Sequence, residues 1–248
     1  MANNKSIYGL IGYPLGHSFS KSFFTKKFES EGIDAEYRNF EIDNIERITE
    51  ILGSDVCGLN VTIPYKEKVM QYLDGLDAAA EKIGAVNVIK IIKDNGKIKA
   101  IGYNSDVVGF ANSIKPLLKE EHKKALILGT GGASKAVKYA LESMGIECLY
   151  VSRKSSDHAI AYEELTPEIM KNHLVIVNTT PLGMYPKIDL YPNIPYRELT
   201  DRHICYDLTY NPEVTSFMRL SKQRGATVKN GLEMLILQAI ESWRIWHL

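Results

Sequence analysis

Residues 125–134 constrain this chain more than any other stretch. Ala125 to Leu128 is a wholly apolar run with the length and character of a strand buried on both faces. It leads straight into Gly129-Thr130-Gly131-Gly132-Ala133-Ser134, after which a helical pattern begins. A strand, a glycine-rich turn and a helix open the kind of unit in which parallel strands alternate with helices. Small residues in such a turn let backbone N–H groups approach a pyrophosphate, and the helix N-terminus adds favourable partial charge. Ser134 stands where the third glycine of the usual GxGxxG falls. On the motif alone, a glycine turn that binds nothing therefore stays open as an alternative.

The same alternation runs through the rest of the chain. After the turn, strand-like runs recur at 147–151, 174–178 and 204–208. Before it, strands are predicted over 6–12, 35–42 and 58–62, with helices over 19–31, ending before Gly32, and 44–52. Val86 to Ile92 and Ile98 to Tyr103 read as a hairpin about Asp94-Asn95-Gly96, since Asn-Gly supplies the positive φ angles of a tight turn. A helix is expected over 106–119. Leu232, Leu235, Ile236, Ala239, Ile240 and Trp243 recur at helical spacing and predict one apolar face on a final helix that packs back toward the first domain. Strands alternating with helices imply an α/β fold with a mostly parallel sheet in each half.

Composition narrows the function. The 248 residues suffice for two modest domains, and 45% hydrophobic residues can bury a core. Thirty basic side chains balance thirty acidic ones, without the basic excess that marks a nucleic-acid binder. The longest apolar runs are too short to span a bilayer, and Met1 to Tyr8 lacks the character of a signal peptide. Cys57, Cys148 and Cys205 form no CxxC pair and sit among apolar neighbours, which predicts three buried free thiols in a reducing cytoplasm. Neither they nor the six histidines show a metal-ligand spacing, so no metal is expected.

The second strand of the nucleotide unit carries the cofactor signal. NAD binders typically place Asp or Glu about 20 residues past the glycines to hold the ribose 2′-hydroxyl. Here Val151-Ser152-Arg153-Lys154 stands there instead. A guanidinium can grip a 2′-phosphate bidentately and a lysine adds charge, so Arg153 and Lys154 point to NADP. An ordinary solvated Arg-Lys pair is the alternative.

Two polar clusters follow predicted strands in the first half. Gly16-His17-Ser18-Phe19-Ser20 opens a helix, and Asn60-Val61-Thr62-Ile63-Pro64-Tyr65-Lys66 follows the third strand, with Pro64 suited to a first helical turn. Ligands of open parallel sheets bind beyond the carboxyl ends of strands. Hydroxyls and amides there suit a substrate of hydroxyl and carboxylate groups, although serines before a helix also serve as plain N-caps.

NVTIPYK, Gly84-Ala85-Val86-Asn87, Gly102 to Asp106, GTGGAS and the terminal NGLEMLILQA appear in one order over nearly the whole chain. As an ordered set they resemble the shikimate dehydrogenase family. The resemblance implies a substrate domain over 1–104, joined by the C-terminal helix at about 231–248, and an NADP-binding Rossmann-like domain over 105–230. It implies Lys66 and Asp106 as the catalytic pair, where the residues alone would read as a surface lysine and a helix N-cap. Substrate contacts carry over to Ser18, Ser20, Thr62, Asn87 and Gln238, and more loosely to Asn60 and Tyr210. Cofactor contacts carry over to Gly129, Gly131, Gly132, Ala133, Ser134, Ser152, Arg153, Lys154, Thr180, Leu208 and Gly231, with no metal. The implied reaction is the reversible NADPH-dependent reduction of 3-dehydroshikimate to shikimate, on the route to aromatic amino acids. A monomer or homodimer with a small-molecule substrate, and no nucleic-acid or membrane partner, is the expected state. The chain departs from the family pattern at Ser105, a usual threonine, at Val107, a common glycine, and at Asp157, near the place of a second arginine. A quinate/shikimate dehydrogenase using NAD, a non-catalytic ligand sensor and a bare dinucleotide-binding module are the competing readings. The last leaves the N-terminal clusters unexplained.

Overall fold

The computed structural model describes residues 5–16 and 18–248, so His17 of the first polar cluster lies outside the described residues. The chain divides into two compact units, Met1–Ser105 with Ala239–Leu248, and Asp106–Gln238.

In the first unit β1 (Ser6–Gly12) leads to α1 (Phe19–Glu31). Ser18 caps this helix by accepting from Lys21 N at 3.2 Å, and Gly32 ends it at φ +65°, a left-handed conformation that costs glycine no steric penalty. β2 (Ala35–Glu41) follows. The helix expected over 44–52 is split. Asn44 caps a 3₁₀ turn at Ile45–Arg47, and only Ile48–Leu52 is α-helical, as α2. β3 (Val56–Val61), a 3₁₀ turn at Lys68–Tyr72, β4 (Gly75–Leu76) and α3 (Ala78–Ile83), capped by Asp77, come next. β5 (Val88–Asp94) and β6 (Lys97–Tyr103) form the hairpin that Asn95-Gly96 foretells. No helix starts at Pro64: Thr62 to Tyr65 close a turn in which Tyr65 N donates to Thr62 O at 2.9 Å. The strand order is β2-β1-β3-β5-β6-β4, parallel except where β5 pairs antiparallel with β3 and β6. Ile11, Leu59 and Ile89 anchor one core layer, and Phe24, Tyr37 and Trp246 an aromatic second one. Gly58 belongs to that second layer, because a Cβ there would meet the Trp246 ring at 2.4 Å.

The second unit opens with α4 (Asp106–Ile114). The helix predicted to 119 stops at Ile114 and continues as a 3₁₀ turn at Lys115–Leu117. Pro116 is the cause, as it lacks a donor and its ring clashes with a helical carbonyl. β7 (Lys124–Leu128), α5 (Gly132–Ser143), β8 (Glu147–Ser152), β9 (Ala159–Ala161), α6 (Pro167–Asn172), β10 (Val175–Asn178), β11 (Ile204–Asp207), α7 (Ser216–Lys222) and β12 (Thr227–Lys229) follow. They build an all-parallel sheet of order β12-β11-β10-β7-β8-β9. Chain direction across the sheet reverses between β7 and β10, the place where doubly wound folds bind ligands.

The last helix, α8 (Leu232–Trp246), spans the division between the units. Its buried residues are Met234, Gln238, Ala239, Ser242, Ile245 and Trp246, whereas Leu232 is 39% and Ile240 53% exposed. The apolar face expected from the sequence is therefore wrong by part of a turn. Gln238 and Ser242 are polar and fall outside that expected face, yet both are buried and hydrogen-bonded, which removes the penalty for their burial. The thiols need a similar correction: Cys205 is buried, but Cys57 and Cys148 are only half-buried. Sequence neighbours of a strand residue point to the opposite face and report nothing about its own cover. Among the described residues no helix is long and apolar enough to cross a membrane, and no cluster of three His, Cys, Asp or Glu side chains could hold a metal ion.

Candidate active site

Strand register gathers the predicted residues of the second unit on one sheet edge. Leu128 is in register with Val151 on β8 and with Asn178 on β10, and Asn178 with Asp207 on β11. Gly129, Thr179 and Leu208, the next residues along β7, β10 and β11, thus leave the sheet side by side, next to Ser152 at the end of β8. Gly129 has φ +102°, and a Cβ there would lie 2.9 Å from Thr179 Oγ1. Gly131 is the N-cap of α5, and a Cβ on it would meet nothing within 4 Å. The turn is thus an open cradle at the N-terminus of a three-turn helix, the shape and polarity a pyrophosphate requires. Gly132 and Ala133 form the first helical positions behind it. Ser134 replaces the usual glycine without loss of fit, since its hydroxyl folds back to donate to Gly131 O at 2.6 Å.

Ser152 closes the end of β8 by a hydrogen bond to the Lys154 carbonyl, leaving Arg153 and Lys154 exposed beside it. Thr180 is held by Asn178, whose Oδ1 accepts from its N–H at 3.1 Å and from its hydroxyl at 2.6 Å. Asn178 is held in turn by Asp207, and sequence reasoning missed this residue. The Asp207 carboxylate is fully buried and accepts from Asn178 Nδ2 at 3.0 Å, Thr209 N at 3.0 Å and Thr215 Oγ1 at 2.6 Å. Burial pushes its carboxyl above the ordinary carboxylate range, with the hydrogen bonds opposing that shift. An acid closing an otherwise apolar strand was the available signal.

Gly231 meets Leu208 directly: a Cβ there would lie 2.0 Å from the Leu208 carbonyl oxygen. Gly231→Ala must therefore displace backbone, and overpacking of this kind costs about 1–3 kcal/mol. A melting temperature several degrees below wild type is expected by scanning calorimetry. Superimposable thermograms would contradict this. Gly109 likewise lets α4 approach α8, since a Cβ there would lie 2.6 Å from Met234 O and 3.0 Å from Gln238 Cβ. Asp106, one turn earlier on α4, is buried, as is Gln238, which donates from Nε2 to Leu235 O at 2.9 Å. Tyr210 follows β11 and is half-buried, its phenol pushed up by that burial.

The first unit gathers its candidates in the same way. Ile11 pairs with Val61, Asn60 with Val88 across the antiparallel contact, and Val88 with Tyr103. The carboxyl ends of β1, β3 and β6 and the amino end of β5 consequently share one edge. Thr62 and Asn87 lie at it, and the cap and first turn of α1 supply Ser18 and Ser20 after β1. Lys66 is held through its neighbours. Tyr65 is buried and donates its hydroxyl to Ile42 O at 2.7 Å, and the Lys66 carbonyl accepts from Val86 N at 2.7 Å, one residue before Asn87. Both amide atoms of Asn60 are engaged inside the unit: Oδ1 accepts from Tyr37 at 2.8 Å, and Nδ2 donates to Ser242 at 2.9 Å and Asn87 O at 3.3 Å.

Residues 10–89 match the family model described as shikimate dehydrogenase substrate binding domain. The chain is 35% identical over 269 residues to the shikimate dehydrogenase (NADP(+)) of Desulforamulus reducens, covering 97% of this chain and 89% of the relative. The chain belongs to the shikimate dehydrogenase family. Among solved shikimate dehydrogenases, one in complex with NADP+ superimposes with a TM-score of 0.86 at 31% identity, covering 98% of this chain and 90% of that one. That of Thermus thermophilus, in complex with NADP(H) and shikimate, gives 0.84 at 28% identity, covering 97% and 93%. Within this shikimate dehydrogenase fold, the Gly129–Gly132 cradle and the Thr62–Asn87 edge are each the open strand-end edge of their own sheet.

Proposed function

We propose that this chain catalyses the reversible reduction of 3-dehydroshikimate to shikimate with NADPH. The carrying observation is its near full-length likeness to an NADP(+) shikimate dehydrogenase at 35% identity. The Gly129–Ser134 cradle fits the pyrophosphate of the dinucleotide, and Ser152, Arg153 and Lys154 would face its adenosine ribose phosphate. Thr180, Leu208 and Gly231 would line the remainder of the cofactor. Ser18, Ser20, Thr62, Asn87, Tyr210 and Gln238 would hold the hydroxyl and carboxylate groups of the substrate, with Asn60 acting behind them.

When bound, the reduced nicotinamide supplies a hydride to the substrate carbonyl carbon. The carbonyl oxygen then gains negative charge and needs a proton. In this reading the Lys66 ammonium supplies it as general acid, and the Asp106 carboxylate orients that ammonium and shares the proton. Proton transfer by a positioned side chain contributes typically about 10²–10⁴-fold. The enzyme would work in the cytoplasm, where Cys57, Cys148 and Cys205 stay free thiols, as they are in the structure.

The test is a nicotinamide absorbance assay of the purified protein with shikimate or quinate, each paired with NADP or NAD. Turnover of shikimate with NADP well above the other three combinations is expected. Activity confined to quinate with NAD would replace this reading by its nearest rival.

A further inference from the structure

A buried polar chain in the first unit links two proposed substrate residues, Asn60 and Asn87, through Ser242, which the proposed site does not use. Tyr37 is buried and its phenol is pushed far up by burial, so it stays a neutral donor, with Ser20 as a hydrogen-bonding neighbour. It donates to Asn60, whose Nδ2 donates to Ser242 Oγ at 2.9 Å. Ser242 Oγ lies 3.1 Å from Ser105 Oγ. Having accepted from Asn60, it can donate to Ser105. Ser105 then clamps both polar atoms of the Asn87 amide: its N–H donates to Oδ1 at 2.7 Å, and its Oγ accepts from Nδ2 at 3.0 Å. Ser105 and Ser242 are both fully buried.

Ser242 thereby ties α8 both to β3, through Asn60, and to the segment after β6, through Ser105. A planar amide can present either its oxygen or its nitrogen to a ligand, so its orientation decides which substrate group it can bind. We infer that Ser242 is a positioning residue for substrate: by fixing Asn60 and the Ser105 hydroxyl, it sets the orientation of the Asn87 amide that receives a substrate hydroxyl. The inference rests on the proposed shikimate reaction. Ser242 itself touches no substrate and acts only through Asn87.

Ser242→Ala removes one hydroxyl from a fully buried place, a change too small to abolish folding. Losing a buried hydrogen bond of this kind should raise the Michaelis constant for shikimate about three- to tenfold. Turnover number and the Michaelis constant for NADP should stay within about twofold, because neither depends on the Asn87 amide. The decisive measurement repeats Ser242→Ala in an Asn87→Ala background, where the shikimate constant should rise no further, since residues acting as a unit are non-additive. An unchanged shikimate constant in the single variant overturns the inference, as does an equal factor in both backgrounds. Wild-type protein that oxidises no shikimate overturns the proposed function and this inference together, whereas an active wild type with an indifferent Ser242→Ala variant removes the inference alone.

Discussion

Lys66→Ala is expected to lower turnover of shikimate by about 10²-fold or more while NADP binding barely changes. The lysine sits in a turn fixed from both sides, by buried Tyr65 before it and by the hydrogen bond from Val86 N to its own carbonyl. Those backbone contacts survive truncation of the side chain, so the variant should keep its fold and lose only the ammonium. General acid chemistry then has no donor for the developing alkoxide except water. Because the missing interaction is made in the transition state, turnover number and kcat/KM should fall together. Lys66→Arg should rescue little, since a guanidinium stays protonated and cannot pass its proton on. Asp106→Asn, isosteric at a buried helix start, should fall to a similar degree. Steady-state kinetics with cofactor binding by fluorescence titration separates the outcomes. A Lys66→Ala enzyme turning over near the wild-type rate would end the catalytic assignment.

How much of this was legible in the sequence depended on whether a local signal had a local cause. The Gly129–Ser134 turn, the Asn95-Gly96 hairpin and the Ser18 cap of α1 all declare themselves within a few residues, and each forms where expected. Pro64 had the right chemistry for a helix start but sits in a turn closed by Thr62 and Tyr65, so the residue type left two conformations open. Short strands such as β9 and β12, three residues each, owe their existence to the neighbours they pair with and carry no periodicity of their own. The same holds more sharply for α8. Its apolar residues point to one face, yet its buried face passes through Gln238 and Ser242, which are inside because hydrogen-bond partners satisfy them. Asn60 was visible in a polar cluster after the third predicted strand, and Asn87 and Thr180 through the family resemblance. Tyr37, Ser242 and Asp207, which hold them, were not, because nothing in the chain marks a hydrogen bond between residues 60 and 242 before the fold brings them together.

Arg153→Ala is expected to erase most of a preference for NADP over NAD that should reach at least about tenfold in kcat/KM in the wild type. In the proposed reading the adenosine ribose lies at this strand-end edge, where Val151 is in register with Leu128 and Ser152 ends β8. A 2′-phosphate brings about two negative charges to that place. No acid closes β8 to repel it. Asp157 could have cancelled the guanidinium, but among the described residues Arg153 makes no ion pair with it or with any other carboxylate. Both side chains are exposed, and attraction between separated charges in water is weak, so Asp157 reduces the local potential only slightly. One charge-assisted hydrogen bond to the phosphate is worth roughly 1.5–3 kcal/mol, or about 10- to 100-fold in affinity. The missing second arginine of the family pattern sets the low end of that range. Lys154→Ala should matter less, because a flexible ammonium matches the phosphate plane less well than a guanidinium fork. Exposure of Arg153 adds a further expectation: raising salt should narrow the NADP preference, because solvated charges are screened within about 10 Å at 0.1 M ionic strength. Initial rates with each cofactor, for wild type and both variants at low and high salt, measure all of this at once. If wild type uses NAD as well as NADP, or Arg153→Ala keeps the full preference, the discrimination does not come from the end of β8.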